Sequence, residues 1–330
     1  LSAWHRYEFI AVSGSDTHAL QAAGLYPTQF DHPVYTIDDL VRQLRKGSCR
    51  PFFKEVVKSG SNIDVTEVAI GTKGLNEQRS RIIAKQVYEV RKWNPMQEAA
   101  LLMREINDKA FKDTVSYRVP RIFDIDENDM LLLEEGQRGE TLYELLLKVT
   151  PAAGQCYCEM AARWLALMHG ASLERRDLAD GIAHERQRRR SYSRLFAETN
   201  SPYRAFIDPV IDFVFDSEER LFRDHSELCI VCHGDYHLKN IIIGHDKAQD
   251  ASTVFISVID FDSAIRIHPA FDVACFLTQF DHQLLYQPQV REAYSADAFL
   301  ETYLTAAVRV PDRFNDAVRF FRIRICLSIA

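Results

Sequence analysis

No stretch of this sequence approaches the ~18 consecutive apolar residues that a membrane-spanning helix requires. The first residues, Leu1 to Asp16, lack a basic segment followed by an apolar run, which argues against a secretory signal. An initiating Met is also missing, which leaves room for residues upstream. Positive charge is in deficit: 40 Lys and Arg against 47 Asp and Glu give a net charge of −7. That balance argues against nucleic acid as the main partner. Neither G-x-x-x-x-G-K-[ST] nor G-x-G-x-x-G occurs, so a P-loop architecture is not expected. These absences together lead us to expect a cytoplasmic protein with no membrane and no nucleic acid among its partners.

Cysteine is present in an odd number, seven, scattered from Cys49 to Cys326, which does not suit a disulfide framework in a chain this long. One spacing stands out, because Cys229, Cys232 and His233 match the C-x-x-C-H pattern of covalent haem attachment. No second metal-spaced Cys or His pair accompanies it. Both cysteines are therefore read as small apolar residues on a buried strand that runs into a loop.

With 330 residues, 47% of them hydrophobic and 26% charged, the chain is long enough for two domains or one two-lobed unit with a sizeable core. Residues 1–50 form a leader in which no chemistry is evident. Within it, Thr36 to Gly47 predicts a short helix with acidic residues at its start, basic ones at its end and Gly as its stop. Residues 51–134 are strand-like, with turns at Gly60–Asn62 and Gly74, and with one main helix opened by Asn94 and Pro95. Residues 135–139 make a polar, Gly-bearing joint. Residues 140–330 are mainly helical: Thr141 to Val149, Pro151 to His169, Glu185 to Phe196, Pro209 to Asp224, and further helices from Ala270 onward. The expected fold class is α+β, bilobal, with a small β-rich N-lobe and a larger, mostly helical C-lobe.

The chemistry concentrates in one segment. His233-Gly234-Asp235 is followed by Asn240, and an apolar strand then leads to Asp260 and Asp262. A carboxylate followed five positions later by an amide, and then by a carboxylate at a strand end, is an arrangement used for phosphoryl transfer. Asp235 is expected to orient a substrate hydroxyl as base. Asn240 and Asp260 offer oxygen ligands of the kind Mg²⁺ prefers, with Asp262 as a second metal contact. A buried charge at a strand end is costly unless it meets a cation, which favours a ligand role for Asp260. His233 reads first as a loop brace, with an approach to substrate as its other role.

Lys85, alone among Ile82, Ile83, Ala84 and Val87, suits an ammonium reaching phosphate oxygens. Its helix partner is open between Glu98 and Glu105, one heptad apart, with Glu98 preferred. The turn at Gly60 and Ser61 offers backbone N–H groups to phosphates, though a single glycine is a weak signal. The basic run from Arg186 to Arg190 is read as a solvated helix face.

These residues, with Phe271-Asp272-Val273-Ala274, the helix end at His169 and the joint from Glu135 to Gly139, resemble the aminoglycoside phosphotransferase/choline kinase superfamily, a branch of the protein-kinase-like fold. The resemblance spans roughly residues 50 to 285. It implies ATP or GTP held between the lobes, with the base against Leu133 to Gly136, which brings Glu134 and Gly136 into the nucleotide site. It also implies a Lys85–Glu98 pair, Asp235 as catalytic residue, Asn240 and Asp260 as metal ligands, and Asp272 bracing the catalytic loop. The acceptor would lie on the helical lobe, where Asp281, His282, Tyr286 and Glu301 are available. His268 stands where many relatives carry Gly, and the leader lies outside the family pattern. The function this implies is O-phosphotransfer to a small molecule such as an aminoglycoside, amino alcohol or sugar. The alternatives are a kinase acting on a peptide or protein side chain and, in a different class, a nucleotide-binding pseudokinase or scaffold. Loss of Lys85, Asp235, Asn240 or Asp260 would be the mark of the last, and all four are present.

Overall fold

The structure is a computed structural model and describes residues 28–59, 63–70, 80–174, 194, 198, 204–224, 226–247 and 250–329. Its strands are β1 (Thr28–Phe30), β2 (Cys49–Ser59), β3 (Ile63–Ile70), β4 (Ser80–Val87), β5 (Tyr117–Arg118) and β6 (Ile122–Asp126), then β7 (Leu131–Glu135), β8 (Glu140–Thr141), β9 (Ile230–Cys232), β10 (Ile241–His245), β11 (Val254–Val258) and β12 (Ile265–Ile267). The α-helices are α1 (Ile37–Lys46), α2 (Val90–Ile106), α3 (Leu142–Leu146), α4 (Pro151–Gly170) and α5 (Arg204–Asp224), then α6 (Ala270–Gln283), α7 (Pro288–Glu292), α8 (Ala296–Ala306) and α9 (Phe314–Ile329). No helix among the described residues is long and apolar enough to cross a membrane.

The chain divides into two compact units. One comprises Leu1–Gln97, Pro120–Arg138 and Asp246–Asp250; the other comprises Glu98–Val119, Gly139–His245 and Ala251–Ala330. The first unit holds a six-stranded sheet in the order β1-β2-β3-β4-β7-β6, antiparallel throughout. Residues read as a leader supply its first strand, with Phe30 opposite Cys49 and Thr28 opposite Pro51. Helix α1 has the predicted ends. Thr36 and Asp39 form a reciprocal capping box, and Gly47 closes the helix at φ +67°.

Helix α2 begins earlier than Asn94, at Val90, and carries Pro95 inside it. Proline removes one helical donor but keeps a helical φ. Burial of Trp93 and Met96 on either side of it holds that turn in the helix. Pro209 lies inside α5 in the same way.

The second unit combines a four-stranded sheet, β5-β11-β10-β8, with the β12-β9 pair and the remaining helices. Its core is aromatic. Trp164 on α4 stacks against Tyr236 at 5.8 Å, and Phe276 on α6 against Phe299 on α8 at 3.8 Å. The polar ends of the two largest rings are satisfied. Trp164 Nε1 donates to the Arg118 carbonyl at 3.0 Å, and Tyr236 donates to the Ala161 carbonyl at 2.8 Å. This core fixes the loop between β9 and β10 from below.

Candidate active site

That loop starts where β9 ends. Because β9 pairs with β12, Cys232 opposite Ile265, the loop begins beside Ser263 and Ala264. Gly234 has φ +85°, and a Cβ there would run into the Ser263 carbonyl, so the turn accepts only glycine without strain. His233 is fully buried, at 0% exposure, and both ring nitrogens are used inside the fold. Its Nδ1 accepts from the Asp235 N–H at 3.2 Å, which leaves Nε2–H to donate to the Ile259 carbonyl at 3.0 Å. Burial lowers its pKa against the opposing influence of Asp272, Asp235 and Asp260, and the neutral tautomer suits both bonds. His233 is a brace, with no surface left for a substrate.

Asp272 holds the loop from the other side. It is fully buried in the first turn of α6, and its two oxygens accept from the backbone N–H of His233 at 2.6 Å and of Gly234 at 2.9 Å. His169 Nε2 also meets it at 3.1 Å, while Nδ1 of the same ring meets the Tyr303 hydroxyl at 2.8 Å. Nε2–H of His169 toward Asp272 and its Nδ1 toward the Tyr303 O–H satisfy the chain of bonds. Burial pushes the Tyr303 hydroxyl's pKa strongly upward, which keeps it a donor. The chain therefore links α8, α4 and α6 to two loop amides.

Cys232 lies beside His169 and Asp272 and completes a trio of metal-ligating types. Burial, and then the Asp272 charge, raise its thiol pKa well above the ordinary value, and it points at the Ile267 carbonyl at 3.6 Å. A protonated thiol and a carboxylate already holding two amides are poor ligands, so the trio is a structural brace. Cys229 is likewise buried, its thiol pushed up to about 11 by burial. The small-apolar reading of the C-x-x-C pair fits this environment.

Asp235, by contrast, keeps 41% of its side chain exposed. Partial burial works against its charge, but the hydrogen bond and charge of His237, the nearby His233 and the Asn240 amide outweigh it and hold the carboxyl below its ordinary value. His237 is positioned for this: Nδ1 accepts from the Lys239 N–H at 3.1 Å, and Nε2 faces Asp235 Oδ2 at 3.4 Å. Lys239 is exposed, with its ammonium 5.1 Å from the Tyr143 ring centre.

Asn240 is turned by its amide nitrogen, which donates to the Asp235 carbonyl at 3.0 Å and sits 3.5 Å from Asp235 Oδ2. The opposite end of a planar amide is its oxygen, which is thereby directed away from Asp235. The β10–β11 hairpin pairs Ile241 with Val258, and the Ile259 N–H donates to the Asn240 carbonyl at 3.0 Å. Asn240 and Asp260 therefore leave the hairpin at the same end. Asp260 is exposed and left-handed at φ +69°, a conformation that Asp tolerates better than most residues and that recurs at functional sites. Asp262 is exposed on the short 3₁₀ turn that follows. A neutral amide oxygen and carboxylates, free of thiolate or imidazole, form a donor set that fits Mg²⁺.

In the first unit, β4 and β7 bring Lys85 and Glu134 onto one face. Lys85 lies opposite Leu132 and Glu134 opposite Ile83, a diagonal pair, with Nζ to Oε1 at 2.9 Å. Gly136 donates its N–H to the Arg81 carbonyl at 2.9 Å, and a Cβ on it would come within 2.6 Å of Arg81 Cβ. Close approach of two strands accounts for that glycine. Gly60 and Ser61, and the basic run from Arg186 to Arg190, lie outside the described residues. Glu98 is exposed on α2, while Glu105 pairs with Lys109 at 2.6 Å and accepts from the Glu174 N–H.

Among the acceptor candidates, Asp281 is bonded to Arg322 at 2.7 Å, and His282, Tyr286 and Glu301 are exposed. The Arg322 partnership was invisible in the sequence, as were the Glu134 and Tyr303 contacts. No local spacing announces a bond between residues 41, 49 or 134 positions apart.

A profile of the Phosphotransferase enzyme family matches residues 72–311, and a profile described as PHP-associated matches residues 1–49. No curated protein matches the chain. Solved structures do. The chain superposes on aminoglycoside phosphotransferase APH(3'')-Id from Streptomyces rimosus with a TM-score of 0.55 and 16% identity, over 84% of this chain and 92% of that one. Amicoumacin kinase hAmiN, in complex with AMP-PNP, Ca²⁺ and Ami, gives 0.54 and 15%, over 82% and 78%. A choline/ethanolamine kinase family protein from Mesorhizobium loti gives 0.50 and 14%, over 84% and 77%. The α+β, protein-kinase-like fold is thus shared with these enzymes.

Proposed function

Because the chain belongs to the phosphotransferase enzyme family, we propose that it moves the γ-phosphoryl group of ATP or GTP to a hydroxyl of a small molecule, an aminoglycoside, amino alcohol or sugar being the favoured classes. The observation that carries this reading is the loop itself. One accessible carboxylate, Asp235, is held in its charged form and is tied to Asn240, whose oxygen leaves the same hairpin end as Asp260.

In the proposed reaction Asp235 accepts a hydrogen bond from the substrate hydroxyl and takes its proton as the new oxygen–phosphorus bond forms. The bond from the γ-phosphorus to the bridging oxygen breaks, and a nucleoside diphosphate leaves. The buried Asp272 brace and the His233 bonds keep Asp235 in place, so little reorganisation accompanies transfer. Asn240 and Asp260, with Asp262 as a further oxygen donor, would hold Mg²⁺, which when bound neutralises charge on the phosphate oxygens. Lys85 is proposed as a contact for nucleotide phosphate oxygens. Gly60, Ser61, Glu98, Glu134 and Gly136 remain proposed around the nucleotide, and Asp281 and His282 around the acceptor. The partner of Asp281 weighs on the acceptor, because an Arg-paired carboxylate is a poorer site for a cationic amine than a free one.

Structural relatives support the coarse reading. APH(3'')-Id was solved with ADP and streptomycin (TM-score 0.52, 18% identity, covering 83% of this chain and 92% of that one). The test is a consumption screen of ATP and of GTP with Mg²⁺ against aminoglycosides, choline-like amines, sugars, nucleosides and peptides. Turnover with a small alcohol that disappears in Asp235→Asn supports the proposal. Turnover only with peptides, or turnover unaffected by that substitution, overturns it.

A further inference from the structure

We infer that Glu134, on the strand beside Lys85, is the positioning residue for the Lys85 ammonium; this rests on the proposed role of Lys85 toward nucleotide phosphates. Three observations carry it. The pair is short, 2.9 Å, and nearly enclosed, with 17% of the Lys85 side chain and 6% of the Glu134 side chain exposed. Its geometry is set by the sheet: Ala84 opposite Leu133 fixes the register, so Lys85 and Glu134 stand diagonally on one face of adjoining strands. Finally, the second carboxylate oxygen of Glu134 is buried without a hydrogen-bond partner among the described residues. A buried carboxylate with an unpartnered oxygen is costly unless a cation compensates it, so the sequence retains a destabilising group whose observed partner is Lys85.

The consequence is specific. A strand-borne partner holds the ammonium through the backbone ladder of β4 and β7. Glu105, one of two helix residues considered for this task, is engaged by Lys109 and the Glu174 amide.

The experiment measures binding of Mg-ATP and of adenosine, which lacks phosphates, to the full chain and to Glu134→Gln, Lys85→Met and the double variant. Glu134→Gln is expected to weaken Mg-ATP about tenfold while leaving adenosine within about twofold. The double variant should be no weaker than Lys85→Met. Damage to the fold would lower both affinities together, and that outcome would overturn a positioning role. Loss of Mg-ATP affinity in Lys85→Met with none in Glu134→Gln would also overturn it, since Lys85 would then be held by another group. No loss in either variant would instead remove Lys85 from the nucleotide site, and with it the reading on which the inference stands. Should Glu134→Gln fail to fold, Glu134→Asp keeps the charge one methylene short and carries the same comparison.

Discussion

Gly234 is the residue on which the loop carrying Asp235 turns. Any side chain there meets the Ser263 carbonyl, and the φ of +85° alone costs a non-glycine residue about 1–2 kcal/mol. Gly234→Ala should therefore lower the melting temperature and displace Asp235, which calorimetry and turnover report separately. Asp235→Asn should keep nucleotide binding and lose about 10²–10⁴-fold in turnover, the usual range for a general base. Asp260→Ala should lose the Mg²⁺-dependent thermal shift given by ATP; a shift equal to wild type would remove it as a ligand. His233 makes a pH prediction. Burial lowers its pKa below 6.5 in the folded state, so the unfolded chain binds more protons below that value. Its contribution is present at higher pH and drains away as pH falls through about 6.5 toward its folded value. Melting temperature should decline over that window in wild type and less steeply in His233→Gln. At this scale the sequence exposed Asp235, Asn240 and Asp260, because a loop and one hairpin keep them within reach of each other. It concealed Glu134 as the partner of Lys85, because strand register across 49 positions decides that contact.

At the scale of elements, capping was legible and helix starts after proline were not. Thr36, Asp39 and Gly47 announced both ends of α1, since each acts on backbone groups within a turn of itself. Thr36→Ala should cost about 1 kcal/mol through the lost cap, measurable by chemical denaturation. The first turn of α2 escaped a reading that placed Pro95 at the helix start, because tertiary burial of Trp93 decided it. The stack of Phe276 on Phe299 joins α6, which carries Asp272, to α8, which carries Tyr303. Phe299→Ala should cost about 3–5 kcal/mol and reduce turnover as well, since the same helices anchor the loop brace.

For the whole molecule, one border between the two units, Arg138 to Gly139, falls in the polar joint, whereas Glu98–Val119, expected within the N-lobe, belongs to the second unit. The resemblance implied that Asp272 braces the loop, but its links through His169 to Tyr303 could not be read, because they join three helices through side chains. The pairing of β1 with β2 has a practical corollary. One recognisable sequence module ends at residue 49, yet β2 is an eleven-residue strand whose outer neighbour comes from that module. Cutting the gene at the module border would remove the strand that pairs with Cys49–Pro51 and open that end of β2 to another copy. A fragment starting at Cys49 should then self-associate, whereas one starting before Thr28 should stay dispersed, and light scattering tells them apart. The border drawn by sequence similarity is therefore the wrong place to begin a recombinant fragment.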